Sequence, residues 1–287
     1  MSRATATPAS PDTASPDTAS PDTASSDTAS VPEVRDMLSR ARCVVLDFDG
    51  PVARLFAGGH RSQESVAGDI ADELLRIAAS HGIELAGVRG SKDPHEVFGA
   101  YARGAADRDG AHPWRIAADE MHGALTTWEL KSAEHAEPTP GAAAFIRAWS
   151  RKAGPRTTGV PAPAYGRLAV ASNNHHGAIT RYLERESLLE FFDGPVIGRN
   201  EGDVGLMKPN PWILHEVVRA TGADAAEHLM IGDSLSDQQA ARSAGMPFLG
   251  YHRKAGKRQL LRAPGPDGRR LPVIAAMQVL ADAVSAL

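Results

Sequence analysis

Cysteine is almost absent from this chain of 287 residues, which contains a single one, Cys43. One cysteine cannot form an internal disulfide, so no disulfide framework supports the fold, and a reducing compartment is indicated. Long apolar runs are also lacking. None approaches the roughly 20 residues that a membrane-spanning helix needs, and the first residues lack the apolar core of a secretory signal. We therefore expect a cytoplasmic protein that does not enter a membrane.

A large excess of one charge is lacking as well. The net formal charge is −4, and most of it lies in the first 30 residues, where four aspartates oppose Arg3. The nearly neutral remainder does not predict a nucleic-acid partner. One basic segment, 252–270, has seven Lys and Arg residues against Asp267, but no aromatic residues are interleaved with them. We interpret it as a solvated loop, with steering of an anionic substrate as the alternative.

The N-terminal residues form a low-complexity repeat. The sequence PDTAS occurs at 11–15, 16–20 and 21–25, and SDTAS follows at 26–30. A period of five is too short for a solenoid, and the side chains are too small and polar to bury. We therefore expect residues 1–34 to be a disordered tail, with a short helix leading from it into the first strand.

The most informative segment is CVVLDFDG at residues 43–50. Its short apolar run predicts a fully buried strand of a parallel sheet. Side chains alternate along an extended chain, so Asp47 and Asp49 point to the same side and their carboxylates would repel each other. A hard cation such as Mg²⁺ between them, or a shared proton, would offset that repulsion. The segment therefore indicates a metal or proton-transfer site, with an ordinary acidic turn as the alternative.

Three later segments supply groups that phosphoryl chemistry needs. The predicted strand RLAVA ends at Ser172 and Asn173, which offer hydrogen-bond donors to a phosphate oxygen. Lys208 lies in the proline-stiffened segment GLMKPNP, and the strand HLMIG ends at Asp233, with Asp237 shortly after it. Because open parallel sheets bind ligands at the carboxyl ends of their strands, we expect these side chains to converge there.

Helical and strand patterns alternate after about residue 138, which predicts an α/β fold: a Rossmann-like parallel sheet with helices on both faces. Between residues 52 and 137 no buried-strand run occurs, and apolar residues recur at helical spacing instead. We therefore expect an inserted α-helical cap domain over 54–137 and a core domain made of 35–53 and 138–287.

Taken in order, the four segments resemble the motifs of the haloacid dehalogenase superfamily, which are Asp-x-Asp-Gly, a strand-terminal Ser or Thr, a Lys, and Gly-Asp-x-x-x-Asp. This chain has DFDG, ASN, KPNP and GDSLSD. The KPNP form and the long gap between the first two motifs resemble the phosphoglycolate phosphatase-like branch, whose gap holds a helical cap. The resemblance covers roughly residues 40–287. It implies a Mg²⁺-dependent phosphatase acting on a small-molecule phosphate monoester.

The resemblance also implies catalytic and metal-binding roles. Asp47 would be the nucleophile that forms an aspartyl-phosphate, and Asp49 would be the general acid for the leaving group and then the base for water. Mg²⁺ would be held by Asp47, by the backbone carbonyl of Asp49 and by Asp233.

Other motif residues would bind the phosphate group. Ser172, the backbone amide of Asn173 and Lys208 are expected to contact its oxygens. Asp237 is expected to orient Lys208 or the water molecules of the metal rather than to bind the metal directly.

One departure from the branch concerns specificity. An aspartate and a small polar residue usually follow the Asp-x-Asp-Gly motif closely, whereas this chain continues PVARL, with Arg54. Arg54 either faces an anionic substrate as a specificity residue or is an exposed linker charge. The presence of Asp49 favours phosphoryl transfer over dehalogenation, because dehalogenases lack the second aspartate. A phosphomutase or phosphotransferase, and a non-catalytic binding protein, remain as alternatives; neither the natural substrate nor the oligomeric state follows from the sequence.

Overall fold

The computed structural model describes residues 28–57, 66–106, 108–152, 166–264, 268 and 270–287. Within them the strands are β1 (Cys43–Leu46), β2 (Ala53–Arg54), β3 (Glu137–Pro138), β4 (Arg167–Ala171), β5 (Val196–Ile197), β6 (His228–Gly232), β7 (Phe248–Tyr251) and β8 (Val273–Ile274). The α-helices are α1 (Val31–Arg40), α2 (Ala67–Ser80), α3 (Pro94–Ala105), α4 (Pro113–Ser132), α5 (Ala142–Lys152), α6 (His176–Arg185), α7 (Trp212–Thr221), α8 (Leu235–Ser243), α9 (Ala255–Leu261) and α10 (Gln278–Ser285).

Six strands form one parallel sheet in the order β5-β4-β1-β6-β7-β8. The central strand β1 is buried on both faces, because Val44 and Leu46 belong to one apolar cluster and Cys43 and Val45 to another. A strand that buries both faces reads as a continuous apolar run, as the sequence does here.

Helices cover both faces of this sheet. Val34 of α1, Trp149 of α5 and Leu280 of α10 pack in the cluster on one face. Leu214 of α7 and Leu261 of α9 pack in the cluster on the other. The predicted α/β fold, a parallel sheet between two helical layers, is therefore confirmed.

Helices α2, α3 and α4 lie between β2 and β3 in the sequence, and we call these three helices the insertion. The strands β2 and β3 pair with each other as a short antiparallel ribbon. In this ribbon Ala53 of β2 pairs with Pro138 of β3, and Arg54 pairs with Glu137. The insertion has its own buried apolar residues, including Ile70, Leu74, Val97, Phe98, Met121 and Leu125. The chain thus leaves and re-enters the core through adjacent strands; the domain limits at 54 and 137 stay a prediction.

The predicted tail boundary at residue 34 is wrong, because α1 begins at Val31. Ser30 caps this helix by a reciprocal pair of contacts: its side chain accepts from the Glu33 amide, and the Glu33 carboxylate accepts from the Ser30 amide at 2.7 Å. Val34 is fully buried. Residues 1–27, which contain the PDTAS repeats, lie outside the described residues.

The expectation of a loop in the basic segment is also wrong in part. Residues 255–261 form α9, and Leu261 is buried against the sheet, which ties the segment to the core. Four positions of the segment, 265–267 and 269, lie outside the described residues. Among the helices that the structure describes, none is both long enough and apolar enough to span a membrane.

Candidate active site

The carboxyl ends of three neighbouring strands carry the predicted polar segments. Asp47 follows β1, Ser172 follows β4, and Asp233 follows β6. Because β1 pairs with both β4 and β6, these ends lie side by side. A cavity of about 450 Å³, which we call the catalytic cavity, lies at this edge. Its lining includes Asp47, Asp49, Ser172, Asn173, Lys208, Asp233 and Asp237. The structure thus brings together every predicted site residue except Arg54.

The turn after β1 depends on a glycine. Gly50 has a φ of +106°, a conformation that other residues rarely adopt. A Cβ at this position would lie 2.2 Å from Oδ2 of Asp233. The backbone carbonyl of Gly50 also accepts a hydrogen bond from the Thr139 hydroxyl at 2.6 Å. The absence of a side chain at Gly50 therefore allows the β1 turn to approach Asp233 closely.

Lys208 is the cation within the acidic group. Its Nζ lies 2.9 Å from Oδ1 of Asp47 and 2.5 Å from Oδ1 of Asp237, and it donates to the Ala171 carbonyl at 2.8 Å. Burial opposes the charged amine, but Asp237 and Asp47 outweigh burial and raise the pKa of Lys208. Asp237 is itself oriented by the amide and hydroxyl of Ser234, which donate to its Oδ2 at 3.1 and 2.6 Å. Lys208 is therefore held as a protonated ammonium beside Asp47.

Three carboxylates gather around this amine. Asp47, Asp233 and Asp237 each place one oxygen within 4.8 Å of the others. Burial, together with the charges of the neighbouring aspartates, raises the pKa of Asp47 and of Asp233, and Lys208 opposes this effect. One ammonium cannot neutralise three carboxylates, and oxygen donors of this kind suit a hard divalent cation. The donor set therefore fits a divalent metal.

Asp49 lies in a different environment from Asp47. Its Oδ1 accepts a hydrogen bond from the Leu55 amide at 2.8 Å. Burial raises the pKa of Asp49 to about 6, although the Leu55 amide and His95 act in the opposite direction. A carboxyl group with such a pKa can exchange a proton near neutral pH, which suits an acid–base role.

The side chains after β4 are bonded to one another and to the lysine segment. Ser172 Oγ donates to Oδ1 of Asn174 at 2.8 Å. Asn173 Nδ2 donates to the Lys208 carbonyl at 3.1 Å, and the Lys208 amide donates to Asn173 Oδ1 at 2.8 Å. The side chain of Asn173 thus positions Lys208. This arrangement is compatible with the prediction that the backbone amide of Asn173, rather than its side chain, contacts a phosphate.

Arg54 lies outside the catalytic cavity. It is on β2, and its guanidinium forms an ion pair with Glu137, directly opposite on β3. It is not among the residues that line the cavity. The structure places it at the junction of core and insertion, so the contact with an anionic substrate stays a prediction without support from this position.

The sequence analysis missed a buried polar network between the insertion and the core. Glu129 of α4 is fully buried, and its carboxylate accepts from Arg199 Nη1 at 2.5 Å, from the His175 amide at 3.0 Å and from Asn174 Nδ2 at 3.2 Å. It also lies 2.8 Å from Nε2 of His95, a residue of α3 that lines the catalytic cavity. Glu129 therefore joins the insertion to the segment that follows Ser172.

The network is strongly charged. Burial alone would raise the pKa of Glu129, but Arg199 and His95 outweigh it and lower the pKa to about 2. One signal in the sequence could have revealed the network. Glu129 continues the four-residue spacing of Met121 and Leu125, so it places a charge on the buried face of α4. A charge in that position requires a buried partner.

Residues 41–245 match the family of haloacid dehalogenase-like hydrolases, and the chain belongs to that family. The resemblance seen in the four motifs is thereby confirmed. Hydrolases of this family generally use a divalent metal, in agreement with the acidic cluster at the carboxyl edge of the sheet.

Two curated relatives are phosphoglycolate phosphatases. The protein from Mesorhizobium japonicum is 32% identical over 82 residues, which are 29% of this chain and 35% of that protein. The protein from Photobacterium profundum is 34% identical over 101 residues, which are 35% of this chain and 42% of that protein. The chain therefore spans less than half the length of the curated relatives it matches.

A solved structure shows the same fold over almost its whole length. The crystal structure of a predicted phosphatase from Clostridium acetobutylicum superimposes with a TM-score of 0.58, covering 85% of this chain and 98% of its own. The two sequences are 14% identical, so this likeness concerns the fold alone.

Proposed function

We propose that the protein is a phosphatase that hydrolyses a small-molecule phosphate monoester through an aspartyl-phosphate formed on Asp47. One observation carries the proposal. Asp47 directly follows the central strand β1 and lies 2.9 Å from the protonated amine of Lys208, in a cavity that Asp49 and Asp233 also line. Nucleophile, cation and proton donor are the groups that phosphate ester hydrolysis requires.

The proposed cofactor is Mg²⁺. The residues that would hold it are Asp47 and Asp233, through their carboxylates, and Asp49, through its backbone carbonyl. A bound Mg²⁺ would neutralise negative charge on the phosphoryl oxygens and on the carboxylates, so that two anions can approach each other. The raised pKa values of Asp47 and Asp233 agree with this assignment, since they reflect burial first and then the negative charge of neighbouring aspartates, which Lys208 alone does not offset.

In the first half of the reaction a carboxylate oxygen of Asp47 attacks phosphorus, and the bond from phosphorus to the ester oxygen breaks. Asp49 gives its proton to the departing alkoxide, so the product is an alcohol. Ser172, the Asn173 amide and Lys208 would bind the phosphoryl oxygens as negative charge develops on them.

In the second half, water attacks the phosphorus of the aspartyl-phosphate. Asp49, now ionised, takes a proton from this water, and the bond from phosphorus to Asp47 breaks. Inorganic phosphate leaves, and both aspartates return to their starting state. Because Ala67, Pro94 and His95 of the insertion line the catalytic cavity, we propose that the insertion acts as a cap that limits access of bulk water. The proposed compartment is the cytoplasm, which the free, buried Cys43 favours.

The test is a panel of phosphate monoesters assayed for release of inorganic phosphate, with and without Mg²⁺. Asp47→Asn keeps the shape of the side chain but removes the attacking anion, so turnover should fall at least about 1,000-fold while the fold survives. Asp282→Asn, a matched change on the exposed side of α10, should leave turnover unaltered. Substantial activity in Asp47→Asn would disprove the covalent mechanism. Transfer of the phosphate to an added sugar, rather than to water, would identify a phosphotransferase instead.

A further inference from the structure

A second cavity, of about 490 Å³, adjoins the catalytic cavity, and both are lined by Asn173, Lys208 and Asp233. From these residues the second cavity extends between α3 of the insertion and α8 and α9 of the core. A phosphate group at Asp47 would fill only a small part of the combined volume. The remainder is available to the non-phosphate part of a substrate.

Part of the second cavity is apolar. Its lining includes Leu235 at the start of α8, Leu260 on α9, and Met207 and Pro209. Leu235 and Leu260 are 44% and 51% exposed. A single exposed leucine needs no explanation. Two of them at one cavity, beside a methionine, form a surface that would gain free energy if an apolar segment of a ligand covered it.

The same cavity has cationic side chains on two sides. Arg103 extends from the insertion, and Lys257 extends from the core; both residues are exposed. His252 lines both cavities, and Lys254 lines the catalytic one. Within the part of the chain that the structure describes, no ion pair includes Arg103, Lys254 or Lys257. These cations are therefore available to an anionic ligand.

The acidic residues that line the second cavity already have other partners. Asp93 accepts hydrogen bonds from two backbone amides at the start of α3. Glu96 accepts a hydrogen bond from a nearby serine hydroxyl at 2.6 Å. Asp233 belongs to the acidic cluster of the catalytic cavity. The carboxylates that line the second cavity therefore already have partners: those of Asp93 and Glu96 accept hydrogen bonds near the start of α3, and that of Asp233 belongs to the acidic cluster at the catalytic end.

The pKa of His252 is affected by these neighbouring charges. Burial, and then the charges of Lys257, Lys254 and Arg253, lower the pKa of His252 to about 4. Burial accounts for the largest part of this shift, and the lysine and arginine charges that add to it lie on the side of His252 where the two cavities meet, as the positions of Lys254 and Lys257 in the two linings show. An anion placed there would be stabilised.

We propose that the second cavity binds the leaving group of the substrate, and that this group joins an apolar segment to a second anionic group held by Arg103 and Lys257. The proposal rests on the proposed function only in placing the scissile phosphate at Asp47. It assigns a role to three residues of the basic segment 252–270, because His252, Lys254 and Lys257 line the substrate site. It also makes the substrate an amphiphile with two anionic groups, the scissile phosphate and a second anion, rather than a small phosphate ester whose leaving group is neutral.

The test compares two ligands that differ in one group: hexyl phosphate and its ω-carboxylate analogue. Binding is measured by calorimetry with full-length Asp47→Asn protein and Mg²⁺, so that the result does not depend on turnover. The carboxylate analogue should bind roughly 10-fold or more tightly than hexyl phosphate, because a charged group gains hydrogen bonds to charged partners. Arg103→Gln and Lys257→Gln, added separately, should each remove most of this preference and leave the affinity for inorganic phosphate unchanged.

Arg253→Gln is the matched control, since Arg253 lies in the same basic segment but lines neither cavity. The Arg253→Gln variant should keep the preference for the carboxylate analogue over hexyl phosphate. Leu260→Ser should lower the affinity for both esters by the same factor and leave the affinity for inorganic phosphate unchanged. This result would show that the apolar segment of the ligand contacts Leu260. Equal affinity for the two esters, or a preference that survives both Gln substitutions, would overturn the proposal. If the wild type hydrolyses no ester in the panel, the proposed function fails, yet the calorimetric comparison still decides the binding of the second anion.

Discussion

The buried network around Glu129 makes a strong prediction about how the insertion is attached to the core. Glu129→Gln changes one oxygen to an NH₂ group and keeps the size of the side chain. It removes the charge that pairs with Arg199, whose side chain is fully buried, as that of Glu129 is. It also places an NH₂ donor at one of the two oxygen positions, of which one accepts from Arg199 and the His175 amide and the other from Asn174 Nδ2.

The magnitude follows from the burial of both partners. Removing one member of a buried ion pair leaves the other charge uncompensated in the interior, which costs roughly 3–5 kcal/mol. We therefore expect Glu129→Gln to lower the free energy of unfolding by about 3 kcal/mol or more. A double variant, Glu129→Gln with Arg199→Met, removes both charges and should recover at least about half of this loss.

The assay is urea unfolding followed by circular dichroism. The loss of stability should appear either as a lower urea concentration at the unfolding midpoint or as a separate transition of the insertion at lower urea concentration. Glu134→Gln is a matched control on the same chain segment, because Glu134 pairs with Arg181 between the same two parts of the molecule but at about half exposure. An exposed pair contributes about 1 kcal/mol or less. If Glu129→Gln and Glu134→Gln destabilise the protein equally, the reasoning about the buried network is refuted.

Three further predictions follow. The pKa of Glu129 is lowered from 4.5 to about 2, so its contribution is complete above pH 4.5 and is lost as the pH falls towards 2; unfolding in acid should show this loss in the wild type and not in Glu129→Gln. Arg54→Ala removes the ion pair with Glu137, so kcat/KM should change by a similar factor for all phosphate esters. A selective loss for esters that have a second anionic group besides the phosphate would instead place Arg54 at the substrate. Deleting residues 1–27 should leave Tm and kcat within error, whereas deleting 1–30 removes the Ser30 cap, worth about 1 kcal/mol, and should lower Tm by roughly 2–4 °C; equal Tm values for the two deletions would contradict the capping role.

The catalytic cavity was largely predictable because its residues belong to local patterns. Each predicted strand ends at the residue that lines the cavity, and parallel strands place their carboxyl ends at one edge. Asp47, Ser172 and Asp233 could therefore be assigned to one site without coordinates. The apolar runs likewise determined which strands are buried, since a strand covered on both faces can contain little else.

The boundaries of the helices and the environment of the basic segment were harder to predict from the sequence. The capping pair of Ser30 and Glu33 is a local sequence signal that marks the start of α1 at Val31, ahead of the predicted limit at residue 34. Segment 252–270 contains charges and turn residues, which are typical of a loop. Its residues 255–261 nevertheless form a helix, because burial of Leu261 against the sheet outweighs the local preference.

By itself, the sequence determined the fold class, the family and the residues at the carboxyl edge of the sheet, because strand patterns and motif spacing are local properties of the chain. The contacts between residues far apart in the sequence were decided by the tertiary structure alone. Glu129 and Arg199 are 70 positions apart, and only folding brings their charges together in the interior. Likewise, only the pairing of β2 with β3 shows that Arg54 forms an ion pair with Glu137, and only the packing of α3 against the core shows that Arg103 and Lys257 line one cavity. Such contacts between distant segments depend on how the elements pack; the local pattern of α4 shows that Glu129 requires a buried partner, but not which residue supplies it.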